Sequence, residues 1–138
     1  MAYLLDTDSA SLAFRGNERV RIRIRQASVP GVWLSGIAAE EIMRGALGSI
    51  SANRDKATAI TAYELFSWSL EAVCEYRIHP YNQQAARVYA SFSAQVKRIG
   101  TQDCRIAASA TAAGWIVVTA NQKDFSQIPG VQFEDWSR

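Results

Sequence analysis

Three short runs, Ala2 to Leu5, Val32 to Ser35 and Trp115 to Thr119, are apolar along almost their whole length and are bounded by turn or polar residues. A strand with no polar face cannot lie on a solvated sheet. It must be buried on both sides, which a parallel sheet covered by helices provides. The stretches between them carry helical periods. From Gly36, Ile37, Glu41, Arg44 and Ala46 to Leu47 follow such a period until Gly48, and Ser51 to Leu70 reads as a second helix. Asn82 to Ile99 sets Ala85, Val88, Tyr89, Phe92 and Val96 on one stripe and stops at Gly100, and Thr101 or Gln102 opens another helix that ends at Gly114. Val73 to Ile78 and Val131 to Phe133 complete the set of strands, the latter at an edge, with a polar turn at Asn121 to Phe125. Ser9 to Gln26 fits both a strand and a helix and is read as helical, and Pro30-Gly31 breaks the chain before the second strand. The fold class is therefore α/β, with a central, mostly parallel sheet.

A chain of 138 residues suits one domain, residues 1–138, and its composition is that of an ordinary globular protein. No apolar run approaches the ~20 residues of a membrane span, and Asp6 and Asp8 interrupt the place where a signal peptide would be apolar. A cytoplasmic, non-membrane protein is expected. Cys74 and Cys104 share no metal-finger or paired spacing, so two reduced, half-buried thiols are expected. The net charge of +2 identifies no partner, and the arginines at positions 15, 19, 21, 23 and 25 are those of a solvated face. Trp33, Trp68, Trp115 and Trp136, with Tyr89 and Phe92, are core or interface material.

Chemistry is expected where strands end, because ligands of open parallel sheets bind at the carboxyl edge. Asp6, the segment Ser35 to Glu41, Asp103 and Asn121 to Asp124 all follow strands or open helices. Each alone has an ordinary role as a helix cap, a surface residue or a first-turn carboxylate. Together they form an acidic cluster that repels itself unless a hard cation neutralises it, and oxygen ligands suit Mg²⁺ or Mn²⁺. Such a centre hydrolyses phosphodiesters. A hydrophobic strand ending in Asp6-Thr7-Asp8 also suits a haloacid-dehalogenase-like phosphatase with Asp6 as nucleophile, although that chemistry wants a late acidic pair and Asp103 has no acidic neighbour. A non-catalytic acidic cleft docking a basic peptide is the third reading. The lone His79 gives no support to a histidine-pair ribonuclease or a serine hydrolase, and it reads as structural.

The chain resembles the PIN-domain ribonuclease toxins of the VapC group over nearly its full length. Tyr3 to Asp8 resembles the opening strand with its DTN or DTD, and Ser35 to Gly45 the pattern S-x-I-x-x-x-E-L-x-x-G. Gly100 to Ala108 resembles G-x-x-D-x-x-I-A-A, Val118 to Phe125 resembles V-T-x-N-x-x-D-F, and Phe133 to Trp136 gives the ending FEDW. Ile42 stands in place of the usual leucine and Ala120 in place of a common polar residue, while Glu40 adds a second acid beside Glu41. The resemblance implies Asp6, Glu41 and Asp103 as metal ligands, with Asn121 or Asp124 completing or buttressing the site. It further implies a three-layer α/β/α fold, a homodimer, Mg²⁺- or Mn²⁺-dependent endoribonuclease activity on RNA, and a cognate antitoxin whose segment occupies the active-site groove.

Overall fold

The computed structural model describes residues 2–27 and 31–138. Strands β1 (Tyr3–Leu5), β2 (Val32–Ser35), β3 (Arg77–His79), β4 (Ile116–Val118) and β5 (Gln132–Glu134) form one sheet in the order β3-β2-β1-β4-β5. Every adjacent pair is parallel, with Leu5 beside both Leu34 and Val118. Leu4, Leu5, Leu34, Val117 and Val118 have no exposed surface, so the apolar runs lie where both faces of the sheet are covered. The edge strands β3 and β5 are the ones that carry exposed side chains, Arg77, Ile78 and Gln132.

Among the described residues, eight helices connect these strands: α1 (Thr7–Phe14), α2 (Glu18–Ala27), α3 (Gly36–Asn53), α4 (Ala59–Cys74), α5 (Gln83–Ser91), α6 (Ala94–Lys97), α7 (Thr101–Ala113) and α8 (Gln122–Phe125). The chain steps from β1 to β2 to β3 toward one edge, then crosses back beyond β1 to β4 and β5. Right-handed connections therefore place α1 to α4 on one face and the later helices on the other. Packing of α3 on α4 and of α5 on α7 agrees with that division into three layers, α/β/α.

Several elements differ from the sequence expectation for local reasons. The single helix expected over Ser9 to Gln26 is two, because Gly16 turns at φ +88° and the Asn17 side chain caps a new helix at the Val20 amide, 3.1 Å away. Helix α3 runs through Gly48 to Asn53, since Gly48 lies on an exposed face where a glycine lowers helix stability without ending it. The next helix accordingly starts at Ala59, after a turn in which Asp55 takes φ +60° and Thr58 donates to Asn53 at 2.6 Å. It continues to Cys74, so the strand expected from Val73 is reduced to Arg77–His79. The helix expected over Asn82 to Ile99 breaks at Phe92, whose extended backbone separates α5 from α6, each capped by its own Asn82 or Ser93. The expected turn at Asn121 to Phe125 contains the short α8. Cys74 is exposed and Cys104 buried, rather than both being half-buried. The break expected at Pro30 lies outside the described residues.

Candidate active site

The direction of chain progression reverses between β1 and β4, and the crevice at their carboxyl ends is the place where such a sheet binds ligands. Asp6 leaves β1 into it. Its amide donates to the Val118 carbonyl (3.2 Å) and its Oδ1 accepts from the Ser9 amide (2.8 Å), so the same residue closes the strand and caps α1. The wholly buried Thr119 donates its hydroxyl to the Asp6 carboxyl and accepts from the Asn121 amide at 3.0 Å. Asp6 is only 4% exposed. Burial pushes its pKa up to about 6, against the hydrogen bonds from Thr119 and Ser9 and with a small contribution from Asp8.

Glu41 arrives on α3. Ser35 caps that helix through the amides of Ile37 (3.1 Å) and Ala38 (3.4 Å), and Gly36 brings its first turn against the end of β3. A Cβ on Gly36 would stand 2.9 Å from the His79 carbonyl oxygen, a distance only the absence of a side chain allows. Glu41 Oε1 accepts from the Thr7 hydroxyl at 2.9 Å. Its neighbour Glu40 turns away and is exposed, forming a two-pronged ion pair with Arg44, 2.7 Å on each arm, whose hydrogen bonds hold its pKa below the usual value. Successive residues on a helix differ by ~100° in direction, which separates the two acids.

Asp103 lies in the first turn of α7 and Asp124 in α8. Asn121 bridges them, its Nδ2 donating to Asp124 Oδ2 at 2.9 Å and to Asp103 Oδ2 at 3.4 Å. Burial raises the Asp103 pKa most, the Asn121 hydrogen bond opposes it, and the negative charges of Asp124, Glu41 and Asp8 raise it further. Asp103 therefore shares an electrostatic neighbourhood with carboxylates from three other elements. The ion pairs among the described residues are Arg23–Glu134, Arg44–Glu40 and Arg138–Asp135, and none neutralises this group.

As the side chains stand, no three of His, Cys, Asp and Glu among the described residues are close enough to enclose an ion. The donor type and the uncompensated charge nevertheless fit a hard divalent cation, which binds carboxylate oxygens and removes the repulsion felt by Asp103. His79 is apart from this group, packed edge-on against Trp115 at 4.8 Å with its pKa lowered by burial. A groove of 380 Å³ lined by Phe14, Arg21, Trp68 and Tyr76 also lies elsewhere, between α1, α2 and α4. Sequence reasoning singled out no hydroxyl, yet Thr7 and Thr119 hold two of the acids. Their adjacency to the strand-end acids was the available signal, but a hydroxyl at such a place equally caps a helix or binds its own backbone.

The PIN domain family model matches residues 3–131. The chain is 30% identical to the tRNA(fMet)-specific endonuclease VapC of Salmonella typhimurium, with 99% of this chain and 98% of that protein covered. The structure of DNA-bound VapBC from Salmonella typhimurium superposes with a TM-score of 0.76 at 24% identity, covering 99% of this chain and 98% of that one. A toxin-antitoxin complex from Klebsiella pneumoniae superposes with a TM-score of 0.68 at 25% identity, over 94% and 95% of the two chains. By the match along its length and the likeness of its fold, the chain belongs to the PIN-domain family, in its VapC toxin branch.

Proposed function

We propose that this chain is a single-domain endoribonuclease, dependent on Mg²⁺ or Mn²⁺, and the toxin of a toxin-antitoxin pair. The observation that carries the reading is the set of uncompensated carboxylates around Asp103, drawn from α1, α3, α7 and α8 to one sheet edge. Asp6, Glu41 and Asp103 would hold the cation. When bound, it supplies positive charge to a phosphoryl oxygen and acidifies bound water. The protein's own groups do the positioning. Thr119 and the Ser9 amide set the Asp6 carboxyl, and the Thr7 hydroxyl sets Glu41. Asn121 occupies Asp124 Oδ2, leaving Oδ1 to accept a proton from the attacking water.

The phosphatase alternative loses support from the same geometry, since the Asp6 carboxyl is buried and engaged by Ser9 and Thr119 rather than open to attack a phosphorus. The Salmonella typhimurium relative is named for cleavage of tRNA(fMet), and RNA is the substrate class proposed here. Structural neighbours that are toxin-antitoxin complexes support a cognate antitoxin, as does the exposed apolar face of α4, where Ile60 is 70% and Tyr63 60% accessible. A homodimer and a cytoplasmic location, beside RNA and antitoxin, complete the proposal. Incubation with total RNA and Mg²⁺, followed by mapping of the cut ends, tests it. Discrete internal cleavage that EDTA abolishes is expected, and cleavage indifferent to EDTA would refute the metal-dependent mechanism.

A further inference from the structure

An RNA strand entering the carboxylate site carries phosphates on both sides of the scissile one, and these need cations that the acidic cluster lacks. Arg105 follows Asp103 by two positions on α7 but leaves the helix about 200° further round, toward Tyr81 and Tyr89. Its guanidinium lies over the ring of Tyr81 (5.8 Å) and the ring of Tyr89 (5.4 Å). Nη1 donates to the neutral amide oxygen of Gln102 at 3.2 Å, Nε is buried without a hydrogen-bond partner, and no carboxylate pairs with the group among the described residues. Lys97 also lies over Tyr89, 4.8 Å from its centroid, and forms no ion pair among the described residues.

Of the two other stacked arginines, Arg23 over Trp136 at 5.2 Å is neutralised by Glu134 at 2.9 Å, and Arg77 over Trp33 at 5.4 Å is exposed and keeps its hydration. A half-buried guanidinium without an anion is costly unless an anion arrives. The strip also starts at the right place. Tyr81 follows β3, and its backbone nitrogen lies 3.6 Å from the position a Cβ on Gly36 would occupy, at the start of the helix that carries Glu41.

We propose that Arg105, fixed between Tyr81 and Tyr89 and seconded by Lys97, is a phosphate-binding subsite for the RNA strand beside the scissile bond. The inference rests on the ribonuclease reading of the neighbouring carboxylates. The stacked rings hold the guanidinium plane, so its Nη2 meets a phosphate oxygen with little ordering cost, while Lys97 adds a point charge farther along. Both are positioning residues that touch the substrate backbone and carry no base specificity.

The test is binding of a short fluorescein-labelled single-stranded RNA of mixed sequence, followed by anisotropy in EDTA to prevent cleavage, over a series of KCl concentrations. Arg105→Gln should weaken binding roughly threefold to tenfold at low salt and reduce the slope of log affinity against log salt by about 0.7, the share of one single-strand phosphate contact. Arg105→Lys should keep the slope. Lys97→Gln should likewise lower both affinity and slope, and it carries the test alone if Arg105→Gln does not fold. Unchanged affinity and slope in the folded variants, with the unaltered protein binding RNA, would overturn the subsite. An unaltered protein that neither binds this RNA nor cuts total RNA would instead remove the ribonuclease reading on which the subsite depends.

Discussion

At Asp6 one carboxyl closes the fold locally, and the proposed mechanism asks it to hold a cation as well. Its pKa of about 6 in the folded chain, against 3.8 ordinarily, means that the metal-free folded chain binds a proton there more readily than the unfolded chain does. The associated stability is fully present below the unfolded value and is lost as pH rises through about 6. The metal-free protein should therefore melt at a higher temperature at pH 5 than at pH 7, to the extent of this group. Asp6→Asn, which still caps α1, should remove most of that difference and raise stability at pH 7 by ~2–3 kcal/mol while abolishing cleavage. Thermal melts in EDTA at the two pH values check it, and a destabilised Asp6→Asn would contradict it.

The remaining acids are separable in the same way. Glu40→Gln removes only an exposed pair with Arg44 and should leave cleavage unchanged, whereas Glu41→Gln should eliminate it. Asp124→Asn should slow cleavage about 10–100-fold, less than Asp103→Asn, because a group that orients water costs less to lose than a direct ligand. Initial rates under saturating Mg²⁺ distinguish them, and equal losses at Asp103 and Asp124 would make Asp124 a ligand.

Among elements, α3 shows how a helix is aimed. Gly36→Ala puts a methyl group against the backbone of His79, so the first turn of α3 must move, at a cost of about 1–3 kcal/mol and with displacement of Glu41. Gly45→Ala and Gly48→Ala meet nothing within 4 Å and should be neutral or stabilising by roughly 0.5–1 kcal/mol. Denaturation and cleavage rates measured together should show both losses for Gly36→Ala and neither for the others. The same elements show what was legible beforehand. The buried strands β1, β2 and β4 were visible because burial on both faces leaves an apolar run, and α7 because Gly100 and Gly114 bound it. The breaks at Gly16, Asp55 and Phe92 were not, since each depends on backbone angles or on side-chain caps that periodicity does not register. At the site, the acids could be gathered by the topology of strand ends, whereas Thr7, Thr119 and the Asn121 bridge required actual distances.

At the scale of the molecule, the fold collects acids at one edge of the sheet and leaves apolar side chains on the outside of α4. Ile60 and Tyr63 are too exposed to contribute much to the core, so Ile60→Lys or Tyr63→Lys should keep the melting temperature and the cleavage rate of the free protein. If α4 is covered by the antitoxin, those changes should relieve inhibition of cleavage by the co-expressed partner, and full inhibition of both variants would exclude this face. Gathering the acids is the more consequential feature, because without a cation their charges repel one another. Calorimetric titration of Mn²⁺ at pH 7 into the unaltered protein and into Asp6→Asn, Glu41→Gln and Asp103→Asn measures this directly. A saturable site in the unaltered protein that is lost or greatly weakened in each folded variant, in step with RNA cleavage, is the predicted result. Equal Mn²⁺ affinity in all four proteins would contradict the account.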